Sequence, residues 1–135
     1  MAGKKIPDYR RAAGQRLAAA QTLVRYGHHL DSKYLGGYVA ECALKALILH
    51  RTPVSQRAKV FEEISEGRKC HNLEYLTSVL RKTKCVLPVE VTQQLRRMLQ
   101  WTTDWRYEVK WVSFEDATAF LEAAEEMQAW VERSW

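Results

Sequence analysis

The chain has 135 residues, 47% apolar and 27% charged, which allows one domain over residues 1–135 to bury a core of its own and excludes a disordered or fibrous chain. Three cysteines (Cys42, Cys70 and Cys85), odd in number and without CxxC spacing, exclude a disulfide framework and a zinc knuckle. The net charge of +5 is unevenly spread: from Ser113 onward six acids face one arginine for a net of −5, which leaves +10 on residues 1–112. A basic body with an acidic last segment suits a nucleic acid, a nucleotide or a partner of complementary charge, and it also suits plain solvated helix faces.

The opening MAGKKIPDYRR is polar, and no run of about 18 uncharged apolar residues occurs. A cytoplasmic protein without membrane contact is expected. Pro7 suits the first turn of a helix over Asp8 to Tyr26, which carries Tyr9, Ala13, Leu17, Ala20, Leu23 and Val24 on one side before Gly27 offers a left-handed cap. His28, His29 and Leu30 read as a short connection.

The next stretch, Asp31 to His50, is apolar around most of its circumference and predicts a helix buried on several sides, with Asp31 or Ser32 as its cap. Lys33, Gly37, Glu41 and Lys45 fall four apart and form one polar seam, in which Glu41 can pair with Lys45. Gly36 and Gly37 would cost an isolated helix about 1 kcal/mol each relative to alanine, so close packing by another helix, a second subunit or a ligand is expected there. Pro53 ends this helix.

Ser55 is the candidate cap of a short amphipathic element through Val60, Phe61 and Ile64, closed by Gly67. Asn72 caps the next helix, striped by Leu73, Leu76, Val79 and Leu80. Pro88 opens a fifth helix with Val91, Leu95, Met98 and Leu99 on its core face. Ser113 and Asp116 resemble a capping box at the head of a last, acidic helix. Period-two alternation occurs only in the brief Tyr107 to Val112. The chain therefore reads as all-α, an up-and-down antiparallel bundle of about five or six helices.

Chemistry could sit in Trp101 to Trp111, WTTDWRYEVKW, where aromatic rings beside Arg106 offer a base-stacking platform and a guanidinium fork for phosphate. The same rings can instead seal the gap between the fifth and sixth helices, with Arg106 paired to Asp104 or Glu41. His28 and His29 are adjacent and point apart, and Cys70 with His71 lacks partners at zinc spacing. His71, just before a helix, reads first as a turn residue bonded to backbone. No GxSxG elbow or phosphate-binding glycine loop is present. No metal or cofactor is expected.

The run SKYLGGYVAECALKALIL, followed by HNLEYL and then WRYEV before the acidic helix, resembles the HEPN domain, a small helical domain associated with nucleotide binding. The resemblance spans about Asp8 to Trp130 and is most specific in GYVAECALKALI. It implies a helical bundle, commonly a homodimer, often encoded beside a minimal nucleotidyltransferase in toxin–antitoxin or defence systems. Active members of that family are metal-independent RNases with an arginine followed four to six residues later by a histidine. Here Arg106 is followed by Tyr107 through Ser113 without a histidine, so binding is expected ahead of cleavage. The expected site is a cleft in which Arg106 and Lys45 contact the phosphate of a nucleotide or RNA, Glu41 orients one of them, and Tyr107 or Trp105 stacks, with Lys33 and Asp104 beside them. The alternatives are an RNase with a non-standard site using Arg106 with His71, Asp104 or Tyr107, and a helical companion that docks a nucleotidyltransferase-like partner through its last helix.

Overall fold

In a computed structural model the backbone is described for residues 2–135 and the side chains for residues 5–135. Among these residues there are six α-helices and no strand: α1 (Ala2–Arg25), α2 (His29–Arg51), α3 (Arg57–Ser65), α4 (Leu73–Lys82), α5 (Val89–Met98) and α6 (Phe114–Arg133). Single 3-10 turns at Val54–Gln56, Arg68–His71 and Thr103–Tyr107 join them. The architecture is the all-α, up-and-down bundle expected from the periodicity.

The bundle is organised around α2. Val39, Ala40, Leu44, Ala46, Leu47, Ile48 and Leu49 are all fully enclosed, and α1, α6, α4 and α3 each pack against this helix. Its apolar residues cover its whole circumference, so no single neighbour can bury them. Between α1 and α2 the chain reverses through Gly27, at φ +86°. The amide of His28 donates to Leu23 and that of Gly27 to Val24, the double closure that satisfies the last carbonyls of a helix through a left-handed residue.

Several boundaries differ from expectation. Pro7 lies inside α1 rather than in its first turn, because the helix begins at Ala2. His29 and Leu30 belong to α2, whose cap position is His28, without a side-chain cap. Ser32 is unavailable as a cap because its hydroxyl, buried in the bundle, donates to the Ala20 carbonyl at 2.7 Å. Ser55 likewise makes no cap, since a 3-10 turn precedes α3 and Gln56 occupies its cap position.

The caps of α4 and α6 form as read: Asn72 Oδ1 accepts from the Tyr75 amide at 2.9 Å, and Ser113 Oγ accepts from the Asp116 amide at 3.0 Å. Only half of the capping box is made, because the Asp116 carboxylate accepts from Lys33 Nζ instead. None of the described helices is long and apolar enough to cross a membrane.

Candidate ligand-binding site

The glycine pair of α2 is matched by this chain's own aromatic rings, not by a subunit or ligand. A Cβ on Gly37 would lie 2.0 Å from the indole of Trp101, and one on Gly36 would lie 3.2 Å from the ring of Phe120. Trp101 is fixed there by its Nε1, which donates to the Tyr34 carbonyl at 2.9 Å, and by edge contact with Tyr38, ring centroids 5.0 Å apart. The indole thus lies over the polar seam of α2 at Gly37 and divides it in two.

Lys33 stays on one side. Its Nζ is held by Asp116 at 2.8 Å and faces the rings of Trp105 and Phe120 at 5.1 and 5.3 Å. Glu41 and Lys45 lie on the other side, each side chain only 5% exposed, with Lys45 Nζ donating to Glu41 Oε2 at 3.1 Å. The second carboxylate oxygen, Oε1, is 2.8 Å from His71 Nδ1. A buried carboxylate that meets an ammonium and an imidazole has both oxygens satisfied, which offsets the desolvation of the charges.

His71 sits in the Arg68–His71 turn, half out of the bundle, and bonds Glu41 rather than backbone. The turn is positioned by Gly67, at φ +77°, and by Asn72, whose amide donates to Lys69. Accepting from Nδ1–H, the Glu41 carboxylate selects the tautomer that leaves the lone pair on Nε2. That nitrogen has no protein partner among the described residues.

His71 lines a cavity of about 710 Å³ together with Arg68, Asn72, Trp101, Thr103 and Asp104. Tyr38 backs the same region, its ring 6.1 Å from the imidazole and its hydroxyl 3.0 Å from that of Tyr34. Burial, the Tyr34 hydroxyl and the charge of Glu41 raise the Tyr38 phenol well above its ordinary range, and the nearby Arg106 opposes them.

The WTTDWRYEVKW segment is split by the fold. Trp101 and Trp105 are buried and seal the end of the bundle, whereas Arg106, Tyr107 and Trp111 are exposed. Arg106 makes no ion pair with Asp104 or Glu41 among the described residues; its guanidinium stands 5.0 Å from the Tyr107 ring centre.

Of the expected site residues, the structure brings together Glu41, Lys45 and His71, with Asp104 on the cavity wall and Arg106 within electrostatic reach through Tyr38. It does not bring Lys33 or Trp105 to the cavity. Lys33 is consumed by Asp116, and Trp105 is buried against Phe120 at 5.8 Å. Lys45 is enclosed and committed to Glu41, so its expected phosphate contact is not available in this arrangement. Sequence reading missed Tyr38, Arg68 and the role of Trp101; only the last had a signal, in Gly36 and Gly37. No group of three histidines, cysteines or carboxylates among the described residues is arranged to hold a metal.

The six helices form an all-α domain with a buried carboxylate bonded to an imidazole on the cavity wall. The chain belongs to the HEPN domain family, whose family model matches residues 6–134. Dimers are frequent in that family. No match was found among curated proteins or among solved structures.

Proposed function

We propose that this HEPN domain binds a phosphate group of a nucleotide or RNA in the cavity between the Arg68–His71 turn and the segment from Leu99 to Asp104. The observation that carries the reading is the Glu41–His71 hydrogen bond of 2.8 Å at the edge of that cavity. The imidazole shares the cavity wall with the exposed Arg68, and the exposed Arg106 acts electrostatically on Tyr38, whose ring lies 6.1 Å from the imidazole. Guanidinium groups match phosphate with a fork of donors. In this arrangement Arg68 takes the part expected of Lys45, Glu41 orients His71, and the edges of Trp101 and Tyr38 offer apolar contact to a base. The test is titration of a labelled RNA oligonucleotide and of nucleotides against wild type, Arg68→Ala and Arg106→Ala. Each substitution is expected to weaken binding about tenfold, the effect of losing roughly 1.4 kcal/mol. Unchanged affinity in both variants would overturn the site.

A second reading is favoured by the same dyad. An imidazole whose Nδ1–H is held by a carboxylate can take a proton at Nε2, and a nearby guanidinium can stabilise a developing phosphorane. His71 comes from a different element than Arg106, so a metal-independent cleavage site would be assembled by the fold rather than by the consecutive family motif. RNA cleavage that resists chelator and disappears in both His71→Ala and Arg106→Ala supports this reading; absence of cleavage in wild type removes it and leaves the binding reading standing.

A further inference from the structure

A second cavity, of about 460 Å³, opens where α2, α3 and α4 meet, at the end of α4 away from His71. Arg51, Lys82 and Lys84 lie on its wall against a single acid, Glu63. None of these four groups has an ion-pair partner among the described residues. Pro53, Val60 and Val79 give the wall an apolar part, and Thr52 and Thr83 border it. Asn72 and Leu73, at the other end of α4, line the cavity of His71. The ten-residue helix rises about 1.5 Å per residue and so sets the two cavities roughly 15 Å apart.

Basic residues at a helix C-terminus ordinarily complement the unpaired carbonyls there. In this chain those carbonyls have other partners. At the end of α2 the Thr52 hydroxyl donates to Ile48 at 2.6 Å and its amide to Leu49 at 3.2 Å. Arg57 donates to the carbonyls of His50 and Thr52 at 3.2 and 3.0 Å. At the end of α4 the Thr83 hydroxyl and amide both donate to Leu80, and the Lys84 amide donates to Arg81. The side chains of Arg51, Lys82 and Lys84 make none of these bonds, and the field at this end of the bundle is positive. Burial, followed by Arg57, Arg51 and Arg10, holds the His50 imidazole below its ordinary value.

Lys84 also carries a backbone cost. Its φ of +66° is the one positive value at a non-glycine residue among those described, just past a helix end where glycine or asparagine is usual. A lysine held in the left-handed region points to a use for its side chain. Three cations against one carboxylate leave two positive charges unmatched beside an apolar wall. A phosphate monoester carries close to two negative charges at neutral pH, and arginine and lysine both bind its oxygens. The volume lies within the roughly 300–1,000 Å³ of small-molecule sites.

We infer that this cavity is a second ligand site, separate from that of His71, for a small phosphate monoester with an apolar body. Arg51, Lys82 and Lys84 hold the phosphate, and Pro53, Val60 and Val79 meet the body.

Phenyl phosphate is the probe, titrated into the isotope-labelled full chain and followed through its amide resonances. Thr52, Val79 and Thr83 are expected to shift saturably, with phenol and inorganic phosphate each binding more weakly. Arg51→Gln and Lys84→Gln are each expected to weaken binding about tenfold. Arg97→Gln, which removes an exposed charge of α5 outside the cavity, is expected to leave it unchanged. Lys84→Gly separates side chain from backbone: it should raise the melting temperature by relieving the positive φ, yet weaken phenyl phosphate as Lys84→Gln does. Shifts confined to Arg68–Asn72 place the probe in the cavity of His71 and overturn the inference. An affinity that Arg51→Gln and Lys84→Gln change no more than Arg97→Gln also overturns it. So does a stronger response of Thr52 and Thr83 to an RNA oligonucleotide lacking a terminal phosphate, which assigns these cations to a nucleic-acid backbone.

Discussion

Glu41 shows at the residue scale why a polar group persists on the most enclosed helix of the bundle. Its carboxylate takes one hydrogen bond from Lys45 and one from His71, so Glu41→Ala leaves a buried ammonium without a counter-charge, at a cost of about 3–5 kcal/mol. Thermal melts should show Glu41→Ala far less stable than wild type, with much of the loss recovered when Lys45→Met is added. Gly37 is the second such residue. Gly37→Ala drives a Cβ into Trp101 and should destabilise by about 1–3 kcal/mol. In a double-mutant cycle the penalty should shrink when Trp101→Ala removes the clash, whereas strict additivity would refute the contact. The requirement at Gly36–Gly37 was legible because a glycine pair in a helix needs a close neighbour; which ring met it was not. The His71–Glu41 bond was illegible, since thirty residues separate the partners and no periodicity links them.

Element by element, legibility followed the backbone's unpaired groups. Asn72 and Ser113 were readable as caps because each precedes an apolar stripe and can reach the amide three residues on. The cap of α2 was misread because Ser32 had a tertiary partner, the Ala20 carbonyl, that no local rule reveals. Ser113→Ala should cost about 1 kcal/mol, seen as a lower urea midpoint at unchanged slope. The turn Thr103–Tyr107 divided its aromatic residues between core and solvent, a division that composition does not encode because both kinds of ring look alike in sequence.

For the whole molecule, three cysteines spread over α2, the Arg68–His71 turn and the α4–α5 connection report on its closure. Burial pushes the Cys42 thiol up to about 11 and raises that of Cys70, and Cys85 is enclosed. Thiolate is the reactive form, so a thiol reagent at neutral pH should label native protein slowly and all three together once denaturant opens the bundle; rapid labelling of Cys42 in native buffer would contradict the packing. The Tyr38 phenol, raised by burial in the fold, remains protonated where the unfolded phenol ionises. Stability is therefore intact below about pH 10 and declines as pH rises beyond it, which alkaline melts of wild type and Tyr38→Phe can separate. The central place of α2 also bears on how the chain is made. Residues 29–51 leave the ribosome long before residues 114–133, so the leucine and alanine surface that α6 covers must wait, uncovered, while some sixty intervening residues are synthesised. At about 5–20 residues per second, that interval lasts several seconds, and during it the nascent chain is a substrate for chaperones in a way the finished bundle is not.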